Sequence, residues 1–278
     1  MGRGMEIKTA DLRQRAGGGF TRTDLNVVLG VVLLLGVLVW AVMAASKATR
    51  QIYGCASHQK TLGQAFIQYS QDHEDALPPA VIADQPLTTS WDREIAPYLE
   101  PHAPRPGNPT AQKAMEAKVA YLFKCPSDRE PRGGAQPRSY SMPMYDINKD
   151  GWPPDENSSG GLGLYLDAKT MKKAWETNPL KQSKALPAIK TSVVPSPSDT
   201  ALLVERISIL NALWQTKFAC IISTREQFDA KTFTAKEFHG GKMNYLMLDG
   251  HVELLWPAQS GGHLAEGDQG LWTIRPGD

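Results

Sequence analysis

One long run of apolar residues near the N-terminus dominates the hydrophobic pattern of the chain. Residues 25–45 read LNVVLGVVLLLGVLVWAVMAA, in which Asn26 is the only polar residue and no residue is charged. About 20 such residues in a helix cross a hydrocarbon core about 30 Å thick. The run lacks the polar face of a soluble helix, and it is too long for a cleaved signal peptide. The pattern therefore predicts one membrane-spanning helix.

Basic residues are more frequent before this run than after it. Cytoplasmic flanks of membrane helices carry an excess of lysine and arginine. This asymmetry predicts a single-pass inner-membrane protein with a cytoplasmic N-terminus and a periplasmic C-terminal domain. The flanking basic residues are Arg3, Lys8, Arg13, Arg15 and Arg22 on one side, and Lys47, Arg50 and Lys60 on the other.

The helix is predicted to continue beyond the membrane. Residues 46–75 contain no proline, and two consecutive prolines at 78–79 end the segment. Apolar side chains recur here at helical spacing, which predicts one buried face. This face carries Cys55, Leu62, Phe66 and Tyr69.

The rest of the chain reads as loops with a few short elements. Residues 126–163 and 187–198 are rich in proline, glycine and serine and are interpreted as loops. Asp249-Gly250 between two apolar runs is a strong hairpin signal. The predicted elements are helices over 91–99 and 111–123, a buried strand over 200–206, and hairpin strands over 243–248 and 251–255.

Composition narrows the classes of function. Of the 278 residues 41% are hydrophobic, so a packed core is possible. The 30 basic and 29 acidic residues form no basic stripe, so no nucleic-acid partner is expected. No nucleophile motif, phosphate-binding loop or catalytic pair of acids stands out, so no enzyme is expected.

The segment ahead of the apolar run resembles a prepilin cleavage site. It reads Gly19-Phe20-Thr21-Arg22-Thr23-Asp24. In that family the leader ends in glycine, the mature chain usually starts with phenylalanine, and an acidic residue stands fifth. The resemblance implies that a prepilin peptidase cleaves after Gly19, so that Phe20 becomes the first residue and Asp24 the fifth.

The remainder resembles pseudopilin-like proteins related to the major pseudopilin of type II secretion. The resemblance implies a leader over 1–19, a transmembrane half-helix over 20–45, an outer half-helix over 46–76 and a globular domain over 77–278. The implied fold is α+β, with the long N-terminal helix packed on a small antiparallel sheet with loop insertions. The matching segments are CASHQKTLG at 55–63, YSQDHEDALPP at 69–79, FKCPSD at 123–128, SYSM at 139–142, LVE at 203–205 and HGGKMNYLMLDGHV at 239–252.

The implied function is that of a structural subunit of a pseudopilus or type IV pilus-like assembly. Its partners would be the membrane, the prepilin peptidase and other pilin-like subunits. The resemblance implies that Asp24 would pair with the new amine on Phe20 of a neighbouring subunit. Arg22 and Thr23 replace the usual apolar residues, which favours an alternative, a membrane-anchored monomeric binding module. A metal-dependent surface enzyme is a third hypothesis.

Three cysteines allow at most one intrachain disulfide. Cys55 lies on the predicted buried helical face and Cys125 opens a proline-rich loop. An oxidising compartment favours a bridge between them over two buried thiols. Cys220, between Ala219 and Ile221, is expected to pack as a small apolar residue.

Two sets of residues are candidate metal ligands, although no cofactor is required by the sequence. Asp146, Asn148 and Asp150 match the start of a calcium loop, but Asn157 stands where the closing glutamate belongs. His239, Asp249 and His251 could bind zinc, but Asp249 already suits a turn. Calcium is therefore the candidate ion, and the histidines are interpreted as structural.

Overall fold

The computed structural model describes residues 21–83, 88–100, 109–177, 187–215, 221–222, 239–260 and 270–275. The chain divides into two compact units, Met1–Lys47 and Ala48–Asp278. Helix α1, Arg22–Asp72, starts in the first unit and ends in the second.

The start of α1 is capped by its own side chains. Asp24 Oδ2 accepts hydrogen bonds from Thr21 N at 2.9 Å and Thr21 Oγ1 at 2.7 Å, while Thr21 Oγ1 accepts one from Asp24 N at 3.2 Å. This reciprocal pattern is a capping box, which satisfies N–H groups that the first helical turn leaves unpaired.

The N-terminal part of α1 has the properties predicted for a membrane span. The segment Arg22–Met43 has a mean hydropathy of 2.7, and none of it is buried. By length and composition, it is the one helix in the described part of the chain that could cross a membrane.

The globular unit combines short helices with one mixed sheet. Its further helices are α2 (Trp91–Leu99), α3 (Pro109–Val119), α4 (Ile147–Asp150) and α5 (Ala168–Thr177). Short 3-10 helices span Ala120–Phe123, Thr191–Val193, His239–Gly241 and Pro257–Ser260. The strands are β1 (Val81–Ile82), β2 (Thr89–Ser90), β3 (Tyr140–Tyr145), β4 (Gly163–Leu166), β5 (Ala201–Glu205), β6 (Ile221–Ile222), β7 (Met243–Met247) and β8 (Val252–Leu255).

Within the described residues eight strands form one mixed sheet, so the expectation of a small antiparallel sheet is wrong. The strand order is β2-β1-β4-β3-β5-β7-β8, and β6 pairs with β3 beside this path. Strands β5, β7 and β8 are antiparallel, whereas β4 runs parallel to both β1 and β3. The chain between β3 and β4, residues 146–162, is long enough for the crossover that a parallel pair requires.

The predicted loop over 126–163 is also partly wrong, because it contains β3. This strand lies between β4 and β5. Its sequence, YSMPMY, includes Pro143, and proline within a strand argues against a central position. The predicted helices over 91–99 and 111–123, the strand over 200–206 and the C-terminal hairpin are confirmed.

The predicted inner face of α1 is confirmed. Phe66 is 1% exposed and stacks on Trp91 of α2 with ring centroids 5.6 Å apart. Gly63 allows α1 to approach β7 closely, since a Cβ there would lie 3.0 Å from Leu246 Cδ1. Cys55, Leu62 and Tyr69 are buried as well.

A buried ion pair connects α2 to the start of β3. Arg138 Nη1 donates to Asp92 Oδ1 at 2.8 Å, and both side chains are fully buried. Arg138 Nε also donates to Asn211 Oδ1 at 2.7 Å, and Asp92 Oδ2 accepts from Trp214 N at 2.7 Å. The two charges are thus neutralised and hydrogen-bonded at the same time, which burial requires.

Candidate functional site

Four side chains with metal-binding atoms meet inside the globular unit. Cys55 comes from α1, Cys125 follows the 3-10 helix Ala120–Phe123, Glu205 ends β5, and His239 begins the turn that leads into β7. Their ligand atoms all lie within 4.8 Å of one another. We call these four residues the Cys-Glu-His cluster.

The cluster is closed to solvent. Cys55 and Cys125 are fully buried, and the side chains of Glu205 and His239 are each 1% exposed. His239 has a φ of +43°, an uncommon backbone conformation for a residue other than glycine. His239 starts the 3-10 helix His239–Gly241, which directly precedes β7.

Glu205 is at the centre of the contacts. Its Oε1 accepts a hydrogen bond from the Cys55 thiol and lies 3.0 Å from His239 Nε2. His239 Nε2 is also 3.5 Å from Cys125 Sγ, and Tyr140 Oη is 3.1 Å from Cys55 Sγ. The four groups therefore share protons within one buried network.

The surroundings shift the pKa values of the two thiols in opposite directions. Burial, together with the hydrogen bond to Cys125 and the negative charge of Glu205, raises the pKa of Cys55 well above its usual value. The hydrogen bonds from Cys55 and His239 outweigh burial at Cys125 and lower its pKa.

The surroundings of His239 favour the charged form of its imidazole. Burial by itself lowers the pKa of His239, but the hydrogen bonds to Cys125 and Glu205 and their negative charge raise it to about 10. In the described part of the chain, no lysine or arginine pairs with Glu205, so the imidazolium is the cation that balances this carboxylate.

A second layer of polar groups positions these four residues. Asn244 donates from its backbone N to Glu205 Oε2 at 3.0 Å and from Nδ2 to Oε1 at 3.2 Å. Gln59, one turn after Cys55 on α1, donates to the Asn244 carbonyl at 3.1 Å. Cys125 N donates to Ser139 Oγ at 2.9 Å, and Ser139 in turn donates to Asp128. The carboxylate and the Cys125 backbone are therefore fixed by partners that are themselves buried.

Cys55 and Cys125, for which the sequence predicts a disulfide, lie close to each other. The two sulfurs lie within 4.8 Å, and both residues are free thiols here. A disulfide needs the sulfurs about 2.05 Å apart. The disulfide stays a prediction, and Cys220 lies outside the described residues.

The histidines predicted as a possible zinc set are separated by the fold. His251 Nδ1 contacts Asp249 Oδ1 at 2.6 Å in the exposed hairpin turn, which agrees with the structural interpretation of that pair. His239 lies in the Cys-Glu-His cluster. His239 therefore lies in a different group of residues from Asp249 and His251.

The candidate calcium residues form a capped turn. Asp146 accepts a hydrogen bond from Asn148 N at 2.9 Å, and Asp150 Oδ2 accepts one from Asp146 N at 2.8 Å. Lys173 Nζ lies 3.5 Å from Asn148 Oδ1. These contacts give the three side chains local roles, and calcium binding stays a prediction.

The processing residues fall at the edge of the described structure. Gly19 and Phe20 lie outside the described residues. Asp24 is exposed and accepts hydrogen bonds from Thr21.

Sequence reasoning missed Glu205 as a site residue. Its signal is an acid that ends the apolar strand segment ALLVE, in which every residue is buried. Buried carboxylates need partners, and one partner of Glu205 is Cys55, which is 150 residues away in the chain. No local spacing could have joined the two.

Comparisons with models of protein families, with curated proteins and with solved structures found no match to this chain.

Proposed function

We propose that the protein is a membrane-anchored structural subunit of a pseudopilus or type IV pilus-like assembly. The observation that carries this proposal is helix α1 itself. Its segment Arg22–Met43 is apolar and fully exposed, while one face of its later turns is buried in an α+β unit. A helix that both inserts in a bilayer and belongs to a globular fold is the architecture expected of a pilin-like subunit.

The exposed apolar surface requires a cover. Contiguous apolar patches of this extent do not remain in water, so lipid or other helices must surround it. Within lipid, helices associate through close packing and polar contacts. At Gly30 and Gly36 an added Cβ would meet nothing within 4 Å, so the surface is open to a neighbouring helix at these positions.

Asp24 supplies the polar contact in this proposal. A carboxylate at the membrane edge is costly unless it is paired or hydrated. Its two hydrogen bonds from Thr21 satisfy part of that requirement within one chain. The amine created on Phe20 by prepilin peptidase would supply the opposite charge from a neighbouring subunit and so fix the axial offset between helices.

The same hydrogen bonds favour the second candidate, a membrane-anchored monomeric binding module. If the local cap satisfies Asp24, no neighbour is needed. In either case we place the anchor in the inner membrane, with the N-terminus in the cytoplasm and the globular unit in the periplasm.

The two candidates differ in what Asp24 variants do. With a photo-crosslinking amino acid at Val31, which is 52% exposed, the parent chain should form crosslinked dimers in membranes. Asp24→Ala should lose them while still inserting, Asp24→Glu should keep them, and Arg22→Leu should keep or increase them.

Thr21→Ala is the matched control, because it removes the two hydrogen bonds made by the Thr21 hydroxyl and leaves the backbone N–H contact and the Asp24 charge in place. Retained crosslinks in Thr21→Ala beside lost crosslinks in Asp24→Ala assign the contact to charge between subunits. If Thr21→Ala and Asp24→Ala lose the crosslinks equally, Asp24 acts only as a helix cap, and the proposed contact between subunits is refuted. Absence of crosslinks in the parent would favour the anchored monomer.

A further inference from the structure

The Cys-Glu-His cluster has the composition of a metal site. Two thiol sulfurs, one imidazole nitrogen and one carboxylate oxygen meet in a buried space, with all four ligand atoms within 4.8 Å. In a tetrahedral zinc site with bonds of about 2.0–2.3 Å, neighbouring ligand atoms lie about 3.3–3.8 Å apart. His239 Nε2 lies 3.0 Å from Glu205 Oε1 and 3.5 Å from Cys125 Sγ, close to that geometry. Cys55 Sγ and Glu205 Oε1 are 2.5 Å apart and would separate by about 1 Å on binding one ion.

We propose that Cys55, Cys125, Glu205 and His239 bind one zinc ion that links α1 to the sheet. Thiolate and imidazole ligands together select zinc over calcium or magnesium, which prefer oxygen. Four protein ligands complete a tetrahedron and leave no open position, so the ion is structural. The site does not depend on assembly of the protein into a filament.

The ligand charges are compatible with a divalent ion. As metal ligands Glu205 and both cysteines are anionic, and three buried negative charges are strongly unfavourable unless a cation lies among them. A divalent ion supplies two positive charges at the point where the ligands converge. Binding releases the protons that these groups otherwise share to solvent, with no change in oxidation state.

The polar groups around the cluster act as supports for the ligands. Asn244 holds both oxygens of Glu205, and Gln59 holds the Asn244 backbone from the same helix that carries Cys55. Tyr140 lies against Cys55 Sγ. Metal ligands in proteins are oriented by such hydrogen bonds, whose loss costs about 10–100-fold in metal affinity.

The alternative to zinc binding by Cys55 and Cys125 is the disulfide predicted from the sequence. A disulfide would tie up both sulfurs and leave Glu205 and His239 as two of the four ligands, too few for the proposed site. Zinc and the disulfide are therefore mutually exclusive, and one experiment distinguishes them.

The test is the zinc content of the full chain purified from membranes in detergent without reductant or chelator. We expect about one zinc per chain, with Cys55 and Cys125 unlinked in peptide maps. His239→Ala and Cys125→Ser should lose the zinc. His251→Ala, in the exposed turn, and Cys220→Ser should keep it. Asn244→Ala should lower zinc affinity by about 10–100-fold.

A second measurement, on the wild-type chain, keeps the test valid if the variants fail to fold. Cobalt added to the metal-free wild-type chain should give the visible absorption of a tetrahedral thiolate site, and zinc should abolish it. A Cys55–Cys125 disulfide in the native protein would overturn the proposal. So would a zinc-free chain that gives no thiolate–cobalt bands, or zinc that survives in both ligand variants.

Discussion

Replacing Asp92 with asparagine should destabilise the globular unit by about 3–5 kcal/mol, because it leaves the buried Arg138 guanidinium without its charge partner. The pair joins α2 to the start of β3, with Nη1 and Oδ1 2.8 Å apart and both side chains fully buried. Asparagine has almost the same shape, so the loss reports charge and hydrogen bonding, not volume. The measurement is denaturant unfolding of the detergent-solubilised chain followed by tryptophan fluorescence.

Glu100→Gln is the matched control. Lys118 Nζ and Glu100 Oε1 are also 2.8 Å apart, but the lysine side chain is 66% exposed. Exposed pairs contribute about 0–1 kcal/mol, so this variant should change the free energy of unfolding by no more than that. If Asp92→Asn and Glu100→Gln have the same small effect on the free energy of unfolding, the buried ion pair contributes no more to stability than the exposed one.

Replacing Phe66 with alanine should cost about 3–5 kcal/mol, the usual loss for a buried aromatic side chain. Phe66 is 1% exposed and stacks on Trp91, so its removal opens a cavity between α1 and α2. The same unfolding measurement gives the value.

The adjacent residue provides the comparison. Ile67 is 39% exposed, so Ile67→Ala should cost far less than Phe66→Ala, and its better helix propensity partly offsets the lost contact. If Phe66→Ala and Ile67→Ala lower the free energy of unfolding equally, α1 does not have the buried face and the exposed face that the structure indicates.

The sequence predicted helices and local elements well, because their signals are local. The apolar run, the inner face of α1 with Phe66, and the hairpin at Asp249-Gly250 follow from hydrophobic spacing and turn chemistry. Strand β3 escaped prediction because Pro143 and its serine-rich neighbours resemble a loop. The parallel position of β4 depends on a crossover, which no short pattern specifies.

The candidate site could be predicted only in part for a related reason. The meeting of Cys55 with Cys125 was expected from helix periodicity and cysteine number. Glu205 and His239 join them only after β5 and β7 align, since these strands pair across the sheet. The four residues come together only through the order and pairing of the strands. In the sequence they are far apart, and no local pattern marks them as one site.

The proposed role as an assembly subunit depends first on processing. Cleavage after Gly19 would create the amine that pairs with Asp24, and an uncleaved leader would place 19 further residues ahead of that position. The determining measurement is N-terminal sequencing of the protein isolated from its native membranes. The account predicts a mature chain that begins at Phe20; a mature chain that begins at Met1 or Gly2 would contradict it.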